Sequence, residues 1–497
     1  LSYFLVSTIG IPSILSVYFG LKFGIRALLP YIVFGSIFIS FITNYISLFV
    51  SVKNEGKDLI SILRKYAGER AGKIFLIFSI INLLALFFIL TDAVSGIFLK
   101  YPQILYSVGI SVFLYAILGI IRQTSQTLLG ISIVLSVLVF AISFILGQTI
   151  YHNIAYQNKI LGSETIQILI IFYILTISLI PYWGGTKIKS TSHLISLAVV
   201  ILIGCILAIK NIINTPQTFT EKILRPAIVN ENDIFPSMFI LAISASWGGF
   251  NSIILSSIVS KRIRSYCNIP SISFLGSISG MLFSIAVIIT VIPFANASKQ
   301  ISYEKFIESF ISSFFELFPQ NIKYKIIEEF LAYSFISFTL LSQEVIGRSL
   351  RLLLKESFIS KTEKEQNENS IKTQKKGIKT LKAETIMLAI ATVIFFIEKE
   401  KTDKIWLTFG TSGYILLLLS SITSYIFLRK NKTSILTKTL KFFSILLFIF
   451  SSVVIFSFLA VWIKNYDGIA IAVPTIALLL ILYVISVIVK TIRMREG

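Results

Sequence analysis

Runs of about twenty apolar residues recur along the whole 497-residue chain. Each, as a helix rising ~1.5 Å per residue, can cross a hydrocarbon core about 30 Å thick. Charged residues make up only 14% of the chain, where a soluble domain carries roughly 25%. The chain is therefore read as an all-α polytopic membrane protein. A soluble enzyme, a secreted disulfide scaffold and a nucleic-acid-binding domain do not fit. The two cysteines suggest no bridge, since Cys205 lies in an apolar run and Cys267 in a basic loop. His152 and His193 have no metal-ligand spacing, so no metal or other cofactor is expected. Leu1 already stands in an apolar stretch, without the basic start and cleavage pattern of a signal peptide.

Hydropathy gives about fourteen transmembrane helices, near 3–21, 27–52, 74–99, 103–121, 127–147, 166–186, 192–209, 235–259, 271–293, 327–347, 383–398, 405–428, 442–463 and 467–489. The net charge of +21 is read as topology, with no nucleic-acid partner. Connections after even-numbered spans hold 30 of the 45 Lys and Arg residues, Lys187 and Lys189 among them. The positive-inside rule then places both chain ends in the cytoplasm. Residues 1–347 form the main membrane region, 348–382 a polar cytoplasmic loop and 383–497 C-terminal transmembrane helices. The loop's Lys, Glu, Gln and Asn residues cannot bury a core. It reads as a solvated linker or as a regulatory, lipid-contacting segment.

An ionisable side chain in mid-membrane costs roughly 2.5–3.5 kcal/mol on insertion scales, so each one kept there needs a reason. Asp92 lies deep in the third span and Glu344 near the cytoplasmic end of the tenth. Both are proton-coupling candidates. A hydrogen-bonded structural role is the alternative for Asp92. For Glu344 the alternative is a structural ion pair with Arg348, which at i, i+4 shares its helix face. In the eighth span Gly248 and Gly249 adjoin Ser246, Trp247 and Asn251. Two glycines weaken a helix by about 1 kcal/mol each and free backbone groups for a ligand. These five residues are the candidate substrate-binding set, and small-residue helix packing is the alternative. The third and eighth spans lie five apart and cross in opposite directions. That fits an inverted five-plus-five repeat, as in the leucine-transporter type of fold.

Five stretches, in order, resemble the carbon starvation protein A family of bacterial inner-membrane transporters. They are 34–72, with Ser51, Lys53, Gly56, Lys57 and Leu59 in a basic-loop pattern, then Pro181-Tyr182-Trp183, then 235–251, 338–356 and 405–422. The departures are at polar positions. Asn44 stands where the family has an acidic residue, Asn251 where it has a histidine, Glu344 for an Asp, and Gly413 and Tyr414 for an Asn-Gln pair. The early Gly-Pro pairs survive only as Gly10, Pro12, Ser13 and Ser16, and the family's first helix has no counterpart.

The resemblance implies a secondary transporter in the bacterial inner membrane, in contact with lipid. It would take up peptides or a small carboxylate such as pyruvate, with protons, by alternating access. The rival is a degenerate paralogue that senses or assembles without moving solute. No Walker loop or hydrolase motif occurs, so an ATP-driven pump and an enzyme are not expected.

Overall fold

The computed structural model describes residues 25–124, 129–155, 162–179, 184–214, 249–263, 265–291, 325–362, 402–430 and 435–465, with 311, 315 and 318 singly. No strand occurs among them. The helices are α1 (Ile25–Phe34), α2 (Phe41–Lys53), α3 (Leu59–Ala67), α4 (Glu69–Lys100), α5 (Pro102–Thr124), α6 (Leu129–Ile150) and α7 (Ser163–Leu179). They continue with α8 (Gly184–Asn214), α9 (Gly249–Ile254), α10 (Asn268–Val291), α11 (Lys325–Thr362), α12 (Thr402–Lys430) and α13 (Ile435–Asn465). Wider π-helical turns, Gly35–Ser40 and Leu255–Val259, join α1 to α2 and extend α9.

Among the described residues nine helices are long and apolar enough to cross a membrane, and Ser163–Ser178 is a shorter apolar one. They match ten of the fourteen expected spans. The first, eleventh and fourteenth, and most of the eighth, lie outside the described residues. Two expectations change. The seventh span begins at Gly184 rather than near 192, so Lys189 is buried within α8 instead of lying in a loop. Residues 348–362, expected as the start of a polar loop, continue α11. Their Leu, Lys, Glu and Arg are good helix formers, which carries the helix past the apolar run.

The chain alternates between two compact units. The first takes 1–32, 87–229 and 279–347, and the second takes 33–86, 230–278 and 348–497. In the first unit α5, α6 and α8 pack together. Gly147 allows this closeness, since a Cβ there would stand 2.5 Å from the Ser107 backbone nitrogen. The outer faces of α6 and α8 expose Leu138, Ile145, Leu202 and Ile206, as lipid contact requires.

In the second unit α12 packs on α13, α9 and α2. Buried hydroxyls and amides fasten these contacts. Asn82 of α4 donates to the Phe409 carbonyl and the Ser412 hydroxyl, each at 2.9 Å. Ser252 and Ser420 hydroxyls meet at 2.7 Å. A tight turn after α2 needs Gly56 at φ +75°, and its missing Cβ leaves room for Lys261, 3.3 Å away. Asp58 caps α3 by accepting the Ser61 N–H at 2.6 Å.

Candidate functional site

The first unit holds a buried ion pair. Glu344 is fully enclosed on α11, and Lys189 of α8 is nearly so. Lys189 Nζ donates to Glu344 Oε1. It donates also to the Tyr173 hydroxyl of α7, at 2.6 Å. Tyr173 in turn donates to the same carboxylate oxygen. Gly347 brings α7 close enough for this, because a Cβ at 347 would stand 2.8 Å from Ile174 Cγ2. One carboxylate oxygen therefore carries an ammonium and a phenol, both charge-assisted bonds.

Further polar contacts join α4, α7 and α11 in this unit. Gln167 of α7 donates to Asp92 Oδ1 at 3.0 Å and to Ser95 at 3.3 Å. Gln343, next to Glu344, donates to Thr91 at 2.8 Å. The two proton-coupling candidates thus sit in one unit, each tied to α7. Arg348 follows Glu344 by one turn and is also buried. The i, i+4 spacing offers Arg348 as an ion-pair alternative for Glu344; Lys189, expected in a loop, is the partner that spacing does not reveal. The cluster Lys-Ser-Thr-Ser-His at 189–193 was the available signal: five polar residues at the mouth of an apolar run.

The substrate-binding set falls otherwise. Ser246, Trp247 and Gly248 lie outside the described residues. Gly249 opens α9 in the second unit and is a close-packing position. A Cβ there would stand 2.5 Å from the Gly413 carbonyl oxygen and 2.6 Å from the Leu417 nitrogen of α12. Asn251 is buried on the next part of α9. Asn44, at the family's acidic position, donates through Nδ2 to the Ser40 and Ser277 hydroxyls, both at 3.1 Å. Among the described residues no His, Cys, Asp and Glu cluster could hold a metal ion.

Residues 13–305, more than half of the chain, match the family of carbon starvation protein CstA. The chain belongs to the carbon starvation protein family. The expected resemblance holds for the family as a whole. No curated protein matches the chain. In fold it is similar to the solved structure of MhsT in complex with L-phenylalanine, with a TM-score of 0.56 and 13% identity over 91% of this chain and 97% of that one. A manganese transporter of Eremococcus coleocola, solved with an aromatic bis-isothiourea compound, gives a TM-score of 0.52 and 11% identity over 99% and 92%. At such identities the likeness is one of fold, the leucine-transporter type. This carbon starvation protein is accordingly a multi-pass membrane protein of a transporter family.

Proposed function

We propose that the protein is a secondary transporter that takes up peptides or a small carboxylate such as pyruvate, driven by protons through alternating access. The observation that carries this reading is the buried Lys189–Glu344 pair with Tyr173. Enclosing two charges costs several kcal/mol each before their attraction is counted. A membrane helix that keeps such a pair is a candidate ion pathway. Protonating Glu344 would leave Lys189 a buried cation without its counter-charge. The two protonation states therefore differ strongly in energy, and a proton can bias a conformational equilibrium only through such a difference. Asp92 is the second proton candidate. The stretch 246–251 is proposed to supply hydrogen bonds to the solute from Ser246, Trp247 and Asn251, with Gly248 and Gly249 proposed as a break in the helix.

The test is uptake of labelled pyruvate and a labelled peptide panel into proteoliposomes, with and without a pH gradient. The reading expects gradient-driven accumulation of at least one of them, lost in Glu344→Gln. Gradient-independent uptake would remove the proton from the reading.

The Asn44 knot favours a second reading. An amide bonded to two serines, at a position where the resemblance implies an acidic group, cannot titrate near neutral pH. A sensor or assembly subunit would show no uptake of any panel member in the unmodified protein.

A further inference from the structure

One face of α11 in the first unit carries Glu329, Tyr333, Ser337 and Glu344. Their offsets of four, eight and fifteen residues put them within about 80° of one another at 3.6 residues per turn. All four are buried. From Glu329 to Glu344 the helix rises about 22 Å, most of a hydrocarbon core near 30 Å thick. The polar groups of this stripe therefore nearly span the membrane inside one unit, with Leu340 on the same face between Ser337 and Glu344.

The groups along it are short of partners. The Tyr333 hydroxyl faces Ser111, Ser143 and Ser337 without closing a hydrogen bond to any of them. Phe140 packs against both the Tyr333 ring and the His193 ring of α8. Phe140 stacks on Tyr333 with ring centroids 4.6 Å apart and meets the His193 ring edgewise at 5.5 Å. His193 is fully enclosed, and neither ring nitrogen has a hydrogen-bond partner. Such a group costs free energy unless something visits it. Its titratable and charged neighbours are Tyr115 of α5, which meets its ring edge-on at 5.5 Å, and Lys189, one turn earlier on α8. Lys189 leads to Glu344, whose second carboxylate oxygen is also without a partner. At the far end Glu329 is faced by Lys325, Gln103, Gln148 and His152.

We propose that this stripe is the route by which protons reach Glu344, running from Glu329 through the Tyr333 hydroxyl and the His193 imidazole, with water as the links. The inference rests on the reading of Glu344 as the proton carrier and adds its path. The balance is simple. A proton from the medium enters at Glu329. A hydroxyl or imidazole along the route accepts a proton on one side as it gives one up on the other, so none gains net charge. Glu344 takes the last proton and becomes neutral, while Lys189 keeps its own. His193 is left as its other tautomer and must rotate, or pass a proton back, before the next transfer.

The test follows the Glu344 carboxyl directly by time-resolved infrared difference spectroscopy, in sealed vesicles, after a pH jump applied to each face in turn. Subtracting Glu344→Gln isolates its band. The unmodified protein should protonate Glu344 quickly from the Glu329 face. Tyr333→Phe and His193→Phe, both close in shape, should slow that by tenfold or more, and His193→Gln should not restore it. Circular dichroism and gel filtration check that each variant is folded. Rates unchanged in folded Tyr333→Phe and folded His193→Phe would overturn the route, as would equal access from the other face. Should both aromatic variants unfold, the unmodified protein still decides by the face from which Glu344 protonates. No solute is needed, so failure of the uptake panel alone would overturn the transport reading and leave the route standing.

Discussion

A carboxylate in the wrong place is costly, and two in this chain meet that cost differently. Glu344 has Lys189 and Tyr173 on one oxygen. Removing one partner of a buried pair costs about 3–5 kcal/mol, because the other charge is stranded. Glu344→Gln alone should therefore lower the melting temperature in detergent strongly, and Glu344→Gln with Lys189→Met should recover much of the loss. A double-mutant cycle measures the coupling. If the double variant is no better than the single, the pair does not behave as a unit. Asp58 lies outside the spans and is almost wholly buried. Burial raises its pKa from 3.8, only partly offset by the Ser61 hydrogen bonds and by the charges of Lys261 and Arg64. With the folded pKa above the unfolded one, its contribution to stability is full below about 3.8 and is lost as pH rises through the folded value. Relative to Asp58→Asn, which does not titrate, the unmodified protein should lose melting temperature over that window. A constant difference would deny the shift. Glu344 stands out in the sequence as a charge within a span, yet its partners do not. They come from α7 and α8, more than 150 positions away.

At the scale of helices, the apolar runs were legible because lipid imposes one length on every crossing. Ten of the spans recur as helices with ends shifted by several residues. The seventh span's shift occurs where Lys189, near the start of α8, has tertiary partners that a hydropathy window cannot see. The glycines of the eighth span show the same gap. Their helix-weakening effect is local and readable, whereas the approach of α12 to Gly249 is not. This changes what a substitution there would report. A leucine at 249 meets the α12 backbone, not a flexible side-chain end, and overpacking of that kind costs about 1–3 kcal/mol or more. Gly249→Leu should destabilise the protein, and Gly249→Ala should do so less. Thermal unfolding of the two in detergent checks it. A Gly249→Leu protein as stable as the unmodified one would mean that α12 yields freely. Asn251→Ala is then the cleaner probe of solute binding, since it removes hydrogen-bonding groups without adding bulk.

For the whole molecule, sequence and structure agree on class and differ in organisation. A linear division at 347 and 382 follows composition, but compactness groups three separated stretches into each unit. Long-range packing decides that grouping, and no local pattern encodes it. Orientation is a different matter, because the asymmetry of Lys and Arg acts during insertion and is written in the loops. Moving Lys189 from the loop after the sixth span into α8 weakens that loop's vote. Lys53, Lys57, Arg64, Lys65, Arg70 and Lys73 still flank the second span's end, and Lys261 and Arg262 still follow α9. Lys57 and Glu164 are both exposed, and the parity of the spans puts them on opposite faces. In a background without Cys205 and Cys267, Lys57→Cys should resist a membrane-impermeant thiol reagent applied to intact cells and react after permeabilisation. Glu164→Cys should react without it. The reverse pattern would invert the molecule, and with it the face from which Glu329 receives its proton. Labelling of both positions from outside would show that the number of crossings between them is even, so that one of the helices from α4 to α6 does not span.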